Sequence, residues 1–170
     1  MESCIHVIHD WLMHNGLSLN PAKSEVIQFS TRRSRVNKLQ SLSVSGNPVQ
    51  LASSVKSLGV TLDQHVSLDQ HINNVCKACY YHIRSLHHVR QSLPHDVART
   101  VAYSIVTSWI DYCNSLYAGI SAANFNKLQL VLNTLAHVVH QLSRRDHITV
   151  ALVQLHWLPV HHRVTVSLSI

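Results

Sequence analysis

Two cysteines and a histidine have the residue types and the regular spacing best suited to a chemical role, in the motif Cys76-x-x-Cys79-x-x-His82. Thiolate and imidazole groups are the usual ligands of structural zinc, but such a site needs four of them, and the sequence offers no second pair at zinc spacing. Both cysteines also fall on an apolar stripe, where free cysteine packs as a small hydrophobic residue. Core packing is therefore favoured over metal or redox chemistry, and no metal or cofactor is predicted.

A second candidate for chemistry is the tripeptide Asp-Gln-His, which occurs twice, at residues 63–65 and 69–71. A metal or acid–base site would require the two copies to converge. Ser67 and Gln70 instead form the pattern of a capping box with Ser67 as the N-cap, and Asp69 then falls in the first turn, where the helix dipole stabilises a carboxylate. The copies are thus expected on different elements, and cap and turn roles are favoured over metal binding.

Histidine is unusually frequent, with 15 residues in a chain of 170. No zinc spacing organises them, and a solvated or stacked histidine surface is the favoured interpretation. The alternative is pH-dependent binding of a polyanion, because histidine gains charge below about pH 6.5. Several lie where a basic helix face is expected: His87, His88, His137, His140, His161 and His162.

The overall composition is globular and basic. Lys and Arg number 14 against 8 Asp and Glu, which gives a formal charge of +6 and favours polyanionic partners. The mean hydropathy is +0.05, and no signal peptide, membrane-length apolar segment or disulfide framework is evident. An intracellular chain with no membrane association is expected, without a choice between nucleus and cytoplasm.

The first 65 residues have the pattern of a small sheet with one helix. Apolar residues at helical spacing predict a helix over residues 1–15, and Gly46-Asn47-Pro48 predicts a turn between two short strands. The alternation from Val55 to Asp63 predicts a further strand. Residues 1–65 are therefore expected to form one lobe built on a small antiparallel sheet.

From residue 66 the apolar period becomes helical. Ile72, Cys76, Cys79, Ile83 and Leu86 recur at intervals of four and three. The most regular stripe is expected to form the buried seam of the second lobe, and it comprises Phe125, Leu128, Leu132, Leu135 and Val139. The predicted fold class is α+β, with the antiparallel sheet followed by a helical bundle over residues 66–170.

Six segments, in this order along the chain, resemble the C-terminal part of reverse transcriptases from non-LTR (LINE-type) retrotransposons. The resemblance covers nearly the whole chain and implies the last strands of a polymerase palm followed by a helical thumb. The segments are "WLMHNGLSLNPAKSEVIQFS", "VKSLGVTLDQHVSLDQHI", "YYHIRSLHHVRQSL", "WIDYCNSLYAGI", "KLQLVLNTLAHVV" and "LHWLPVHHRV".

The resemblance also implies roles for particular residues. Lys23, in Asn20-Pro21-x-Lys23-x-Glu25, matches a palm lysine thought to act as general acid near the incoming nucleotide, and Val55–Asp63 resembles the primer-grip hairpin. The family's metal-binding aspartates precede the matched region, so the chain is expected to be a truncated, catalytically inactive remnant of an RNA-directed DNA polymerase. The family that the chain resembles commonly has arginine at the positions of His88, His137 and His161. Histidine at these positions is expected if CG-type arginine codons have decayed by mutation.

Two alternative functions stay open. A weak, non-specific RNA- or DNA-binding module would use the basic side chains of Lys56, Arg84, Arg90, Arg99, Arg144 and Arg145. The strand-glycine-helix stretch also looks like the N-terminal segment associated with AlkB-homologue-eight tRNA-modifying proteins, but the His-x-Asp pair of an iron oxygenase is missing from the sequence. Self-association through exposed strand edges is a further expectation.

Overall fold

The computed structural model of the chain describes residues 2–30, 41–143 and 146–169. The chain divides into two compact units, Met1–Ser67 and Leu68–Ile170. The boundary expected from the sequence, between residues 65 and 66, lies two residues before this division. Both helices and antiparallel strands occur, so the predicted mixed class is confirmed, while the likeness to a palm and a thumb stays a prediction.

The described residues of the first unit form one helix and two β-hairpins. Helix α1 spans Glu2–His14, and a short 3₁₀ turn follows at Pro21–Lys23. The strands are β1 (Ser41–Val44), β2 (Asn47–Gln50), β3 (Ser54–Ser57) and β4 (Val60–Asp63). The first hairpin pairs β1 with β2, and the second pairs β3 with β4, both antiparallel.

The strand predicted from Val55 to Asp63 is wrong, because this segment folds back on itself as a hairpin. Its two-residue turn is Leu58-Gly59, with φ angles of 47° and 83°. Tight hairpin turns of this kind require positive φ at both central residues. Since such a turn adds no run of polar residues, the alternating apolar pattern continues through it and looks like one strand.

The turn predicted at Gly46-Asn47-Pro48 also shifts. The two-residue turn between β1 and β2 is Ser45-Gly46, and Asn47 and Pro48 lie in β2. The described residues thus form two separate two-stranded sheets rather than one. The segment after the 3₁₀ turn hydrogen-bonds to residues that directly follow each hairpin. The Ala52 amide, after the first hairpin, donates to the Val26 carbonyl at 2.8 Å, and the Ser30 amide donates to the carbonyl of Gln64, after the second hairpin, at 2.9 Å.

The second unit is helical in its described residues. The helices are α2 (Asp69–Val89), α3 (His95–Ala102), α4 (Ser108–Asp111), α5 (Ala122–His140), α6 (Ile148–Gln154) and α7 (Val160–Leu168). The two long helices, α2 and α5, pack against each other, and a π-helical turn at Tyr103–Thr107 joins α3 to α4. No helix among the described residues has both the length and the hydropathy of a membrane span.

Helix α2 begins one residue later than the capping-box pattern predicts. The N-cap position is occupied by Leu68, which is in the left-handed conformation with φ of 59°. The Ser67 hydroxyl donates a hydrogen bond of 2.9 Å to the Asp63 carboxylate. The prediction of Ser67 as N-cap is therefore wrong, whereas the prediction that Asp69 lies in the first turn is confirmed.

The predicted seam on α5 is buried at four of its five positions. Leu128, Leu132, Leu135 and Val139 are fully buried, which confirms the helical stripe. Phe125 is only half-buried, and Asn124 is buried beside it. Asn124 is placed inward by a polar contact, because its side-chain amide donates to Asp69 Oδ1 at 2.6 Å and joins the first turns of α5 and α2.

Candidate nucleic-acid interface

A line of basic and aromatic side chains runs along the solvent-facing side of α2. Lys77, Tyr81, Arg84 and His88 are separated by four, three and four residues, and all four are exposed. This spacing places them one above the other on a single helix face. At a rise of about 1.5 Å per residue the line extends over about 16 Å. These four residues are called the α2 stripe below.

The opposite face of α2 fixes the orientation of the stripe. Ile72, Val75, Cys79, Ile83 and Leu86 are buried on this face, and α5 is the element that packs most extensively against the helix. Burial of this apolar face is the main source of stability for an amphipathic helix. The exposed stripe therefore lies on a well-packed element rather than on a loop.

The charge along α2 is one-sided. Asp69 is the only carboxylate in the helix; it lies in the first turn and accepts the hydrogen bond from Asn124. A further cation reaches this side from α5, because Lys127 Nζ donates to Asn73 Oδ1 at 2.8 Å. A helix that carries cations and has no carboxylate beyond its first turn suits a polyanion such as nucleic acid.

The described residues among those predicted for nucleic-acid binding lie on different elements. Arg84 belongs to the α2 stripe, Lys56 is exposed on β3 in the other unit, and Arg99 is exposed on α3. The guanidinium of Arg99 lies 3.8 Å from the carboxylate of Asp96. Two further predicted residues, Arg144 and Arg145, lie outside the described residues.

Arg90 requires a correction, because it is buried rather than presented to a ligand. Only 7% of the residue is exposed. Its Nε donates to the Val139 carbonyl and one terminal nitrogen donates to the Leu93 carbonyl, both at 2.8 Å. The last carbonyls of α5 have no donor within their own helix, so Arg90 satisfies one of them and adds a favourable positive charge there. Its role is structural.

A groove of about 1020 Å³ lies between the C-terminal ends of α2 and α5, and its lining includes His87, Arg90, Gln91 and His137. At the C-terminal end of α5 the rings of His140 and His95 have centroids 4.9 Å apart. The Nε2 atom of His140 is buried without a hydrogen-bond partner. Burial, followed by the neighbouring His95, lowers the pKa of His140.

The Cys76-x-x-Cys79-x-x-His82 motif packs as predicted for its cysteines. Both thiols are buried on the inner face of α2, which confirms the core-packing interpretation. Burial, together with the neighbouring Cys76, raises the pKa of Cys79 to about 12. Among the residues that the structure describes, no group of three or more His, Cys, Asp or Glu side chains could hold a metal ion.

The two Asp-Gln-His copies lie on different elements, as expected. The carboxylate of Asp63 accepts from the backbone amides of His65 and Ser67 at 2.9 and 3.1 Å, which is turn chemistry. His71, in the second copy, is buried, and its Nε2 lies 3.4 Å from the hydroxyl of Tyr117. Burial lowers the pKa of His71.

Lys23 is exposed at the end of the 3₁₀ turn, whose start is capped by Asn20 Oδ1 accepting from the Ala22 amide at 3.0 Å. The general-acid role implied for this lysine stays a prediction. Sequence reasoning missed Lys77 and Tyr81 as partners of Arg84. The signal was present, because the intervals of four, three and four that define the stripe can be read from the sequence alone.

No protein-family model, curated protein or solved structure matches the chain.

Proposed function

We propose that the helical unit binds RNA or DNA weakly and without sequence preference through the α2 stripe. The chain is further proposed to derive from the palm-to-thumb region of a non-LTR retrotransposon reverse transcriptase. The observation that carries the binding proposal is the line of Lys77, Tyr81, Arg84 and His88 on a helix whose only carboxylate is in its first turn.

The expected affinity follows from the number of cations. Each lysine or arginine that neutralises a phosphate releases counterions, and this term supplies most of non-specific binding. Lys77 and Arg84 are the lysine and arginine of the stripe, and Lys127 of α5 adds a third cation on the same side of the helix. Two or three such contacts place the dissociation constant in the non-specific range, about 10⁻⁴ to 10⁻⁶ M at physiological salt.

The proposal assigns no polymerase chemistry to this chain. Nucleotidyl transfer requires carboxylates that hold two divalent ions, and in the family that the chain resembles these aspartates precede the matched region. A primed RNA or DNA template incubated with the purified chain and magnesium or manganese should therefore not be extended. Extension that is lowered by Lys23→Ala would contradict this part of the proposal and would support the general-acid role of that lysine.

The AlkB-homologue-eight alternative gains no comparable support. An iron oxygenase needs two histidines and a carboxylate converging on one ion. The residues that the structure describes hold no cluster of this kind. Nucleic-acid binding is favoured because a specific surface, the α2 stripe, supplies the required charge.

The binding proposal can be tested with a pair of charge-matched variants. Fluorescence anisotropy would measure the affinity of the wild-type chain, of K77A/R84A and of K23A/K56A for a labelled oligonucleotide at low salt. The control pair removes the same charge from exposed positions in the first unit. K77A/R84A should weaken binding more than the control pair does. Equal loss in both variants would mean that net charge, and not the stripe, accounts for binding.

A further inference from the structure

We propose that an aromatic surface beside the α2 stripe stacks unpaired bases, so that the helical unit prefers single-stranded over double-stranded nucleic acid. This surface consists of Tyr81, His82 and Trp109 and is called the aromatic surface below. The inference rests on the proposed function, since it concerns the kind of nucleic acid that the α2 stripe would hold.

The three rings lie in series across two helices. The Tyr81 and His82 rings have centroids 5.4 Å apart in an edge arrangement, and the His82 and Trp109 rings are 6.5 Å apart with an angle of 32° between their planes. The outer members are open to solvent, with 70% of Tyr81 and 46% of Trp109 exposed. His82 is half-buried between them.

The position of Trp109 is fixed by its neighbours in the chain. Ile110 is buried, and Asp111 is paired with Arg163 of α7 at 2.7 Å. The same ion pair neutralises the carboxylate that is nearest to Trp109 in sequence. A half-exposed indole held in this way can accept a planar base without first ordering a loop, and a phosphate meets no unpaired negative charge from Asp111.

The combination of cations and aromatic rings distinguishes between forms of nucleic acid. Phosphates are present in both single and double strands, so Lys77 and Arg84 alone give no preference. The faces of bases are accessible in single strands, where stacking on aromatic side chains adds affinity with little dependence on sequence. Tyr81 belongs to both the stripe and the aromatic surface, so one strand can contact the cations and the rings together.

The test compares tryptophan variants on two oligonucleotides. Fluorescence anisotropy would give affinities for a labelled single strand and for a duplex of the same length, using wild type, W109A, W109F and W11A. Trp11 is 62% exposed on α1 in the other unit and serves as the matched control. Circular dichroism would verify that each variant is folded.

W109A should lower single-strand affinity by roughly 5- to 150-fold, the usual range for loss of one stacking side chain, and should leave duplex affinity unchanged. W109F, which keeps an aromatic ring, should restore most of the single-strand affinity, and W11A should behave like wild type. Intrinsic fluorescence should be quenched by the single strand in wild type and W11A, and this quenching should be lost in W109F.

Three results would overturn the inference. If W109A leaves single-strand affinity unchanged, or lowers single-strand and duplex affinity equally, Trp109 does not stack bases. In that case a loss of affinity in K77A/R84A would leave the binding proposal standing. If the wild-type chain binds neither oligonucleotide, both the inference and the proposed function are wrong.

Discussion

Replacing Arg90 and Arg84 by the same residue should separate stability from binding. Both arginines lie at the C-terminal part of α2 or directly after it, but Arg90 is 7% exposed and Arg84 is exposed. Methionine removes the charge and retains much of the apolar volume. R90M and R84M therefore form a matched pair in which only the environment differs.

The magnitude for R90M follows from two hydrogen bonds, to the carbonyls of Val139 and Leu93. A hydrogen bond from a charged donor contributes about 1.5–3 kcal/mol, and the loss leaves a buried carbonyl unpaired. The methionine side chain offsets part of this by apolar burial. We expect R90M to lower the free energy of unfolding by about 2–4 kcal/mol, and R84M to change it by less than about 0.5 kcal/mol, as is usual for surface positions.

Urea unfolding monitored by far-UV circular dichroism would measure the free energies of unfolding of both variants. Fluorescence anisotropy without urea would measure their affinity for nucleic acid. R84M should weaken nucleic-acid binding, whereas R90M should leave it unchanged as long as the variant is folded. An R90M variant as stable as wild type would refute the structural role of this arginine. An R90M variant that is stable but binds nucleic acid weakly would indicate that Arg90 contacts phosphate.

Three further predictions concern the core of the helical unit. L132A should lower the free energy of unfolding by about 2–5 kcal/mol in urea titrations, because Leu132 is fully buried, and a change below 1 kcal/mol would contradict its place in the core. Burial lowers the pKa values of His71 and His140, so the unfolded chain binds protons more readily than the folded chain. The free energy of unfolding should therefore fall as the pH drops below about 6.5 and level off below the folded-state pKa values. The H140F variant should show a weaker dependence on pH. In the folded chain, iodoacetamide should label exposed Cys4 well before Cys79, whose pKa is about 12, and peptide mass spectrometry showing equal rates would contradict the burial of Cys79.

Much of the helical unit could be predicted from apolar spacing. The stripe from Leu128 to Val139 is correct because a regular period of three and four has no competing explanation on the same helix. The prediction that Phe125 is buried was wrong because the first turn of α5 meets the polar first turn of α2, where the Asn124 side chain donates a hydrogen bond to Asp69. Contacts between helices that are far apart in sequence leave no trace in the local period.

The hairpins and the site show a different limit. The turn at Leu58-Gly59 lacks the Asn-Gly signal typical of tight hairpins, and leucine there adopts a positive φ that its side chain does not favour. Arg90 looked like a surface cation because its acceptor on Val139 is 49 residues away in sequence. The α2 stripe, by contrast, depends only on helical spacing and was available from the sequence.

The role of Lys77 and Arg84 as phosphate contacts can be measured through the salt dependence of single-strand binding in wild type and in K77A/R84A. For single strands the logarithm of the binding constant falls by about 0.7 per phosphate contact for each tenfold rise in salt concentration. If Lys77 and Arg84 each neutralise one phosphate, the double variant should show a slope shallower by about 1.4. Identical slopes in the two proteins, or wild-type binding that is independent of salt, would contradict the assignment of the α2 stripe as a nucleic-acid interface.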